Sequence, residues 1–273
     1  MTTMFLEHGA QVDARDNIYR TPLHLAAMYD LESFTLSILL EHGAQVDALD
    51  DNDRTPLHLA AVDGNVRCMR TLLANGAQVD PRDNLDLAPM HLAAELGDSS
   101  AIRMLIRKGA RAHEDGTPLH LAAIGGHADA VRVLLSNNAE PFVVDDEGIT
   151  PMHVAARAGY ADVVRVMLAH GGCSTVDIGD DHFDTPLHLA ANAGHADVVR
   201  LLLAHGCESS EANADGDTPL HLAAAKGHKD VASLLLDARV DVRVRNDDKL
   251  TPFKLAKREG HNDICRMLLL AKK

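Results

Sequence analysis

Tryptophan is absent from this 273-residue chain, and aromatic residues of any kind make up only 3% of it. The core must therefore be assembled from Leu, Val, Ile and Ala, a set that suits close packing of small helices. Basic charge is also scarce: 26 Lys and Arg stand against 40 Asp and Glu, a net charge of −14. Binding to a phosphate backbone needs cations, so this balance argues against nucleic acid as a partner. It equally disfavours an anionic membrane surface, while leaving room for a protein partner with a basic segment. Cysteine is limited to Cys68, Cys173, Cys207 and Cys265, with no C-x-x-C pair. Neither a disulfide framework nor a zinc finger is signalled. Reduced thiols point to an intracellular protein, expected in the cytoplasm, with the nucleus left open. The opening MTTMFLEHGAQ lacks the basic and apolar regions of a signal peptide. No apolar run approaches the ~18 residues of a membrane helix. The phosphate-loop, nucleophile-elbow and H-E-x-x-H patterns are missing too. The chain reads as no enzyme, without cofactor or metal.

What the chain has instead is repetition. A Thr-Pro or its equivalent falls at Thr21, Thr55, Ala88, Thr117, Thr150, Thr185, Thr218 and Thr251, at intervals of 34, 33, 29, 33, 35, 33 and 33. Each marks the start of a helix, because Thr caps a helix well and Pro fits its first turn. A Gly nine residues on, as at Gly64, Gly97 and Gly194, ends that helix. A second helix follows, such as HADVVRLLLAHG, with Val198, Val199, Leu202 and Leu203 along one stripe. Polar, Asp-rich connectors lead to the next Thr-Pro. Helices of about 8–11 residues are too short to stand alone, so stacking on neighbours must hold them.

The period and its T-P-L-H phrase resemble the ankyrin-repeat family over essentially the whole chain. The resemblance implies an all-α solenoid of helix-turn-helix units, with β-hairpin fingers as connectors. Residues 1–20 read as a partial repeat, a helix tail and a finger. Residues 21–273 read as eight repeats in one continuous solenoid, closed by a capping repeat with Lys254, Lys257, Arg258, Lys272 and Lys273 turned to solvent. The partial start suggests that the chain is excised from a longer protein or begins with a degenerate cap.

Departures from the period are informative. The interval of 29 reflects a finger shortened at GARAHEDG, which predicts a softer joint before Thr117. Faster hydrogen exchange there than in neighbouring repeats is the expected result. Asp30 stands where a turn Gly is usual. Asn138 and Arg239 replace a Gly after the second helix, and Tyr19 and Phe183 occupy finger slots usually held by Gly.

The 17 histidines invite a metal reading, yet fifteen are locked to the period. Seven fill the T-P-x-H slot, four follow a turn Gly and four end second helices; His113 and His182 remain. His170, Cys173, His205 and Cys207 include zinc-type donors. But adjacent stacked elements sit ~8–10 Å apart, far beyond zinc bonds of ~2.0–2.3 Å. EANADGDTPLHL begins like a calcium loop but places Leu222 where a bidentate Glu is required.

Function must lie in what varies between repeats. The family resemblance implies protein binding on a concave face of fingers and first helices, by a monomer that scaffolds a partner. The residue before each Thr-Pro runs Arg20, Arg54, Leu87, Gly116, Ile149, Asp184, Asp217, Leu250. The pair ending each first helix includes Met28, Tyr29, Val62, Asp63, Leu96 and Ile124. Large apolar residues gather in the first five repeats, as one exposed track expected to reach Ile149. Tyr29 with Arg20 and Arg54 has the composition of an interface hot spot. Tyr19 is expected to face the same partner. The finger tips, among them Asp50, Asp51, Asp53, Asp145 and Asp180, form an acidic rim that could steer a basic segment. The alternative is a target-recognition segment of a larger protein: a channel, a ubiquitin-ligase receptor or a kinase.

Overall fold

A computed structural model describes residues 2–29, 33–112, 117–171 and 178–271. Seventeen helices occur among them. After α1 (Thr2–Glu7) they come in pairs: α2 (Pro22–Tyr29) and α3 (Phe34–Glu41), α4 (Pro56–Val62) and α5 (Val66–Ala74), α6 (Pro89–Leu96) and α7 (Ser99–Arg107), α8 (Thr117–Ile124) and α9 (Ala128–Leu135). The series continues with α10 (Pro151–Ala158) and α11 (Ala161–Gly171), α12 (Pro186–Ala193) and α13 (Ala196–Ala204), α14 (Pro219–Lys226) and α15 (Lys229–Asp237), α16 (Pro252–Arg258) and α17 (Asn262–Leu270). The residues group into two compact units, one holding α1 to α8 and the other α9 to α17.

Within each unit first helices pack on first helices: α2 on α4, α4 on α6 and α6 on α8 in one, α10 through α16 in the other. Second helices likewise pack on second helices. Alanine makes the first row possible. Ala26 and Ala27, Ala60 and Ala61, Ala93 and Ala94 are buried, and their small side chains let helix backbones approach. The second helices are amphipathic, burying Cys68, Met69 and Leu72 on α5 and Ile102 and Leu105 on α7. On α13 the stripe is Val198, Val199 and Leu202; Leu203 is only half-buried.

The connectors are tighter than expected: no strand forms among the described residues. Each finger among the described residues is one closed turn, as where Asp50 N–H meets the Arg54 carbonyl at 3.0 Å. Adjacent fingers share a single backbone bond, such as Asn84 N–H to the Asn52 carbonyl at 3.0 Å, too few for a ladder. An Asp or Asn heads each turn: Asp83 Oδ1 accepts from Leu85 and Leu87 N–H, both at 2.9 Å. Three residues on, the chain needs a left-handed conformation. Tyr19 (φ 61°) and Phe183 (φ 58°) adopt it without being glycine, as their sequence slots imply. Asn138 (φ 65°) and Arg239 (φ 61°) do the same after second helices. Lys254, Lys257 and Arg258 are exposed. Asp30, the shortened finger at 113–116, Lys272 and Lys273 lie outside the described residues.

Candidate partner-binding surface

The T-P-x-H histidines are structural keystones. Backbone N–H of Thr55 donates to His58 Nδ1 at 3.0 Å, and the Thr55 hydroxyl lies 3.0 Å from the same nitrogen. An Nδ1 that accepts must be unprotonated, so Nε2 carries the hydrogen and donates it to the Leu87 carbonyl of the next finger at 3.0 Å. His24, His153, His188 and His221 repeat this arrangement onto Arg54, Asp184, Asp217 and Leu250. After the turns, His195, His228 and His261 donate through Nε2 to carbonyls of the preceding repeat. His170 and His205 point Nδ1 back to the carbonyls of Val166 and Leu201 on their own helices. Cys207 is buried, and Cys173 and His113 lie outside the described residues. Among the described residues no group of three His, Cys, Asp or Glu converges as a metal site would.

The variable surface of the first unit is apolar. Tyr29, Val62, Leu96 and Ile124 end four successively packed first helices and are 68, 41, 48 and 55% exposed. Met28 and Leu87 are half-buried beside them, and Asp63 is exposed. Tyr29 lines a groove of about 440 Å³ with Leu25, Pro22, Ala26, Thr35, Leu39 and Thr2. Leu25 is a contributor that sequence reasoning missed, because the T-P-L-H-L-A-A phrase recurs and only its variable neighbours drew notice. Leu96 also has an internal role: its Cδ2 would lie 3.1 Å from a Cβ placed on Gly64, so it covers the preceding turn. Later repeats use Tyr160, His195 or His228 for that cover, while Asp98 Oδ2 stands farther off, at 3.8 Å.

Ile149 does not extend the row. It is buried, 7% exposed, because it closes the finger turn headed by Asp145 and donates to that carboxylate at 2.8 Å. Three of the residues before Thr-Pro are internal couplers. Arg54 Nε meets Asp83 Oδ2 at 3.1 Å, and the Asp83 side chain is wholly buried. Asp184 and Asp217 accept from the side-chain amides of Asn213 and Asn246, both at 2.8 Å. The signal was present as complementary residues 29 positions apart. Arg20 instead grips Asp16 of its own finger at 2.9 Å, and Tyr19 is exposed with Arg15 5.7 Å from its ring. Asp50 also turns inward, to the N–H groups of Asn52 and Arg54, so the acidic rim is made of its neighbours Asp51 and Asp53. Ile18 and Leu85, exposed apolar residues on this rim, were masked in the sequence by the surrounding acids.

Burial raises the Asp83 carboxyl pKa, but N–H groups of Leu87 and Leu85 and the Arg54 guanidinium outweigh it and hold the carboxyl below its ordinary range. Arg54→Ala is therefore expected to lower stability by about 1 kcal/mol, since the two N–H groups still satisfy Asp83. Arg20→Ala, on an exposed pair, should change little. Urea melts of the two variants test the ranking; an equal loss would contradict it.

No helix among the described residues is long and apolar enough to cross a membrane. A comparison with curated proteins found no match. A family model described as ankyrin repeats (3 copies) matches residues 1–83, 90–180, 136–212, 173–246 and 208–273. Proteins of this kind are generally protein–protein interaction modules and typically not enzymes. The chain belongs to the ankyrin-repeat family, an all-α repeat solenoid.

Proposed function

We propose that this protein is a non-enzymatic scaffold that binds a protein segment on the first-helix face of its first unit, the concave face in the family. The observation that carries this reading is the exposed apolar set of Tyr29, Val62, Leu96 and Ile124 at the ends of packed helices. Four such side chains, Val62 and Ile124 at one position of the repeat and Tyr29 and Leu96 at the next, form a patch that water solvates poorly and a partner's apolar face can cover. Tyr29 brings a large rigid ring of the type enriched at hot spots. The acidic tips Asp51, Asp53 and Asp86 are exposed in the same unit and would attract a segment whose flanks are basic. The working form is a monomer, in a reducing compartment that suits the buried thiols of Cys68, Cys207 and Cys265.

Tyr29→Ala/Ile124→Ala tests the reading. Both side chains are more than half exposed, and neither covers a turn as Leu96 does, so the variant should melt like the wild type. Proteins captured from a cell extract by the wild type should lose about tenfold or more affinity for the variant. If the same proteins bind both equally, this face is not the interface, and the fingers or the second unit become the place to look.

A further inference from the structure

The back of the first unit carries charge of the opposite sign. A groove of about 520 Å³ between α5 and α7 is lined by Arg70, Arg103, Arg107 and Lys108, with Ser100 beside them and Val66 and Met104 as its apolar floor. All four cations are exposed, and Val66 and Met104 are half-buried. Neither helix contains an acidic residue. The nearest in sequence, Asp98, is already engaged as the cap of α7 by the N–H groups of Ser100 and Ala101. In a chain of net charge −14 this concentration of unneutralised cations is out of character.

The repeat itself shows what has been removed. Four of the eight second helices carry an Asp three residues before an arginine: Asp129 and Arg132, Asp162 and Arg165, Asp197 and Arg200, Asp263 and Arg266. Three of these pairs close as ion pairs, Arg132 with Asp129, Arg165 with Asp162 and Arg266 with Asp263. At the same register α5 has Arg67 before Arg70, and α7 has Ser100 before Arg103. The neutralising carboxylate is missing in both. Among the described residues, no acidic side chain pairs with Arg70, Arg103, Arg107 or Lys108; the Arg103 guanidinium reaches only Ser99 Oγ, at 3.5 Å. Arg107 and Lys108 favour the C-terminal dipole of α7, but Arg70 and Arg103 are mid-helix and have no such use.

We propose that the groove between α5 and α7 is a second docking site, which takes a short acidic segment of a partner protein. Its carboxylates would pair with the four cations while its aliphatic stems rest on Val66 and Met104. The nine residues of α7 span about 13 Å, the reach of about four extended residues. A short acidic segment fits that reach. A nucleic acid or an anionic lipid surface would carry its charge beyond the groove and into the acidic remainder of the chain. The site is independent of the proposed first-helix interface and faces a partner of opposite charge.

A fluorescein-labelled hexapeptide of Glu and Asp, titrated into the full chain at low salt, tests this. The acidic peptide should bind, its Gln/Asn counterpart should not, and added salt should weaken binding. Arg70→Gln/Arg103→Gln should weaken it about tenfold, from two exposed ion pairs lost. Arg132→Gln/Arg165→Gln, which removes arginines already paired, should leave it unchanged, as should Tyr29→Ala/Ile124→Ala. Equal losses in both arginine pairs would mean diffuse attraction and overturn the assignment, as would failure of the acidic peptide to bind. So would RNA or phosphatidylserine vesicles binding through Arg70 and Arg103 when the peptide does not. Concentration-dependent self-association abolished by Arg70→Gln/Arg103→Gln, without peptide binding, would reassign the groove to a second copy of this chain.

Discussion

Acidification from pH 7.5 to 5.5 is expected to destabilise both units steeply. Five T-P-x-H histidines, His24, His58, His153, His188 and His221, have pKa values below the ordinary 6.5. Burial is the largest cause in each. The accepting carbonyls and finger carboxylates such as Asp50, Asp83, Asp184 and Asp217 pull the other way and do not overcome it. Geometry explains the penalty: a proton on Nδ1 would point at a backbone N–H that now donates to it, as at Thr185 and His188, 3.2 Å apart. In the unfolded chain these groups take up protons as pH falls through about 6.5, while in the native chain they resist until lower pH. The unfolded state then binds more protons, so stability falls with pH throughout that window and is fully present above it. Each linked histidine contributes a slope of about 1.4 kcal/mol per pH unit within the window. Two act in the first unit and three in the second, so slopes near 3 and 4 kcal/mol per unit are the ceiling. Thermal melts at pH 7.5, 6.5 and 5.5 measure the effect. A melting temperature unchanged across that range would show that these histidines are not held neutral.

Most of the architecture was legible because the repeat states it eight times. Thr55, Pro56 and His58 specify a cap, a first turn and a link to the next finger, and they do so from positions fixed by the period. The candidate surface was only half legible. Tyr29, Val62, Leu96 and Ile124 stand at helix ends where the repeating core leaves them exposed, so their register was enough. Ile149, which is buried, and Arg54, which is half-buried and tied to the next finger, were harder to read for a different reason. Whether a residue before Thr-Pro faces out depends on the next finger, where Asp83 captures Arg54, or on closure of its own turn, where Asp145 binds Ile149 N–H. Single-row reading cannot see such pairs. The basic groove escaped notice because net charge averages it away, and it emerges only when the second helices are aligned and the missing aspartates show. The β-hairpin expectation came from resemblance; with one backbone bond between neighbouring fingers, turns suffice.

Gly194→Ala should cost far more than Gly206→Ala, although both glycines have nearly the same backbone conformation, φ 83° and 81°. An alanine in the left-handed region costs about 1 kcal/mol or slightly more wherever it occurs. At Gly206 that is the whole effect, because a Cβ there would meet nothing within 4 Å. At Gly194 the Cβ would sit 2.6 Å from His228 Nδ1 and 2.7 Å from its Cε1. The imidazole cannot retreat without cost, since its Nε2 donates to the Asn192 carbonyl at 2.9 Å and ties the turn before α15 to the end of α12. Moving the ring breaks that bond and leaves the carbonyl to water, adding about 1–2 kcal/mol. The expected totals are therefore about 1 kcal/mol for Gly206→Ala and about 2–4 kcal/mol for Gly194→Ala. Urea denaturation at pH 7.5 measures both, away from the histidine window. His228→Ala supplies the control. It removes the ring that clashes, so adding Gly194→Ala to it should cost only the backbone term, with a coupling of at least about 1 kcal/mol between the sites. If the two losses simply add, the ring is not what makes this turn intolerant, and the strain lies in the backbone alone.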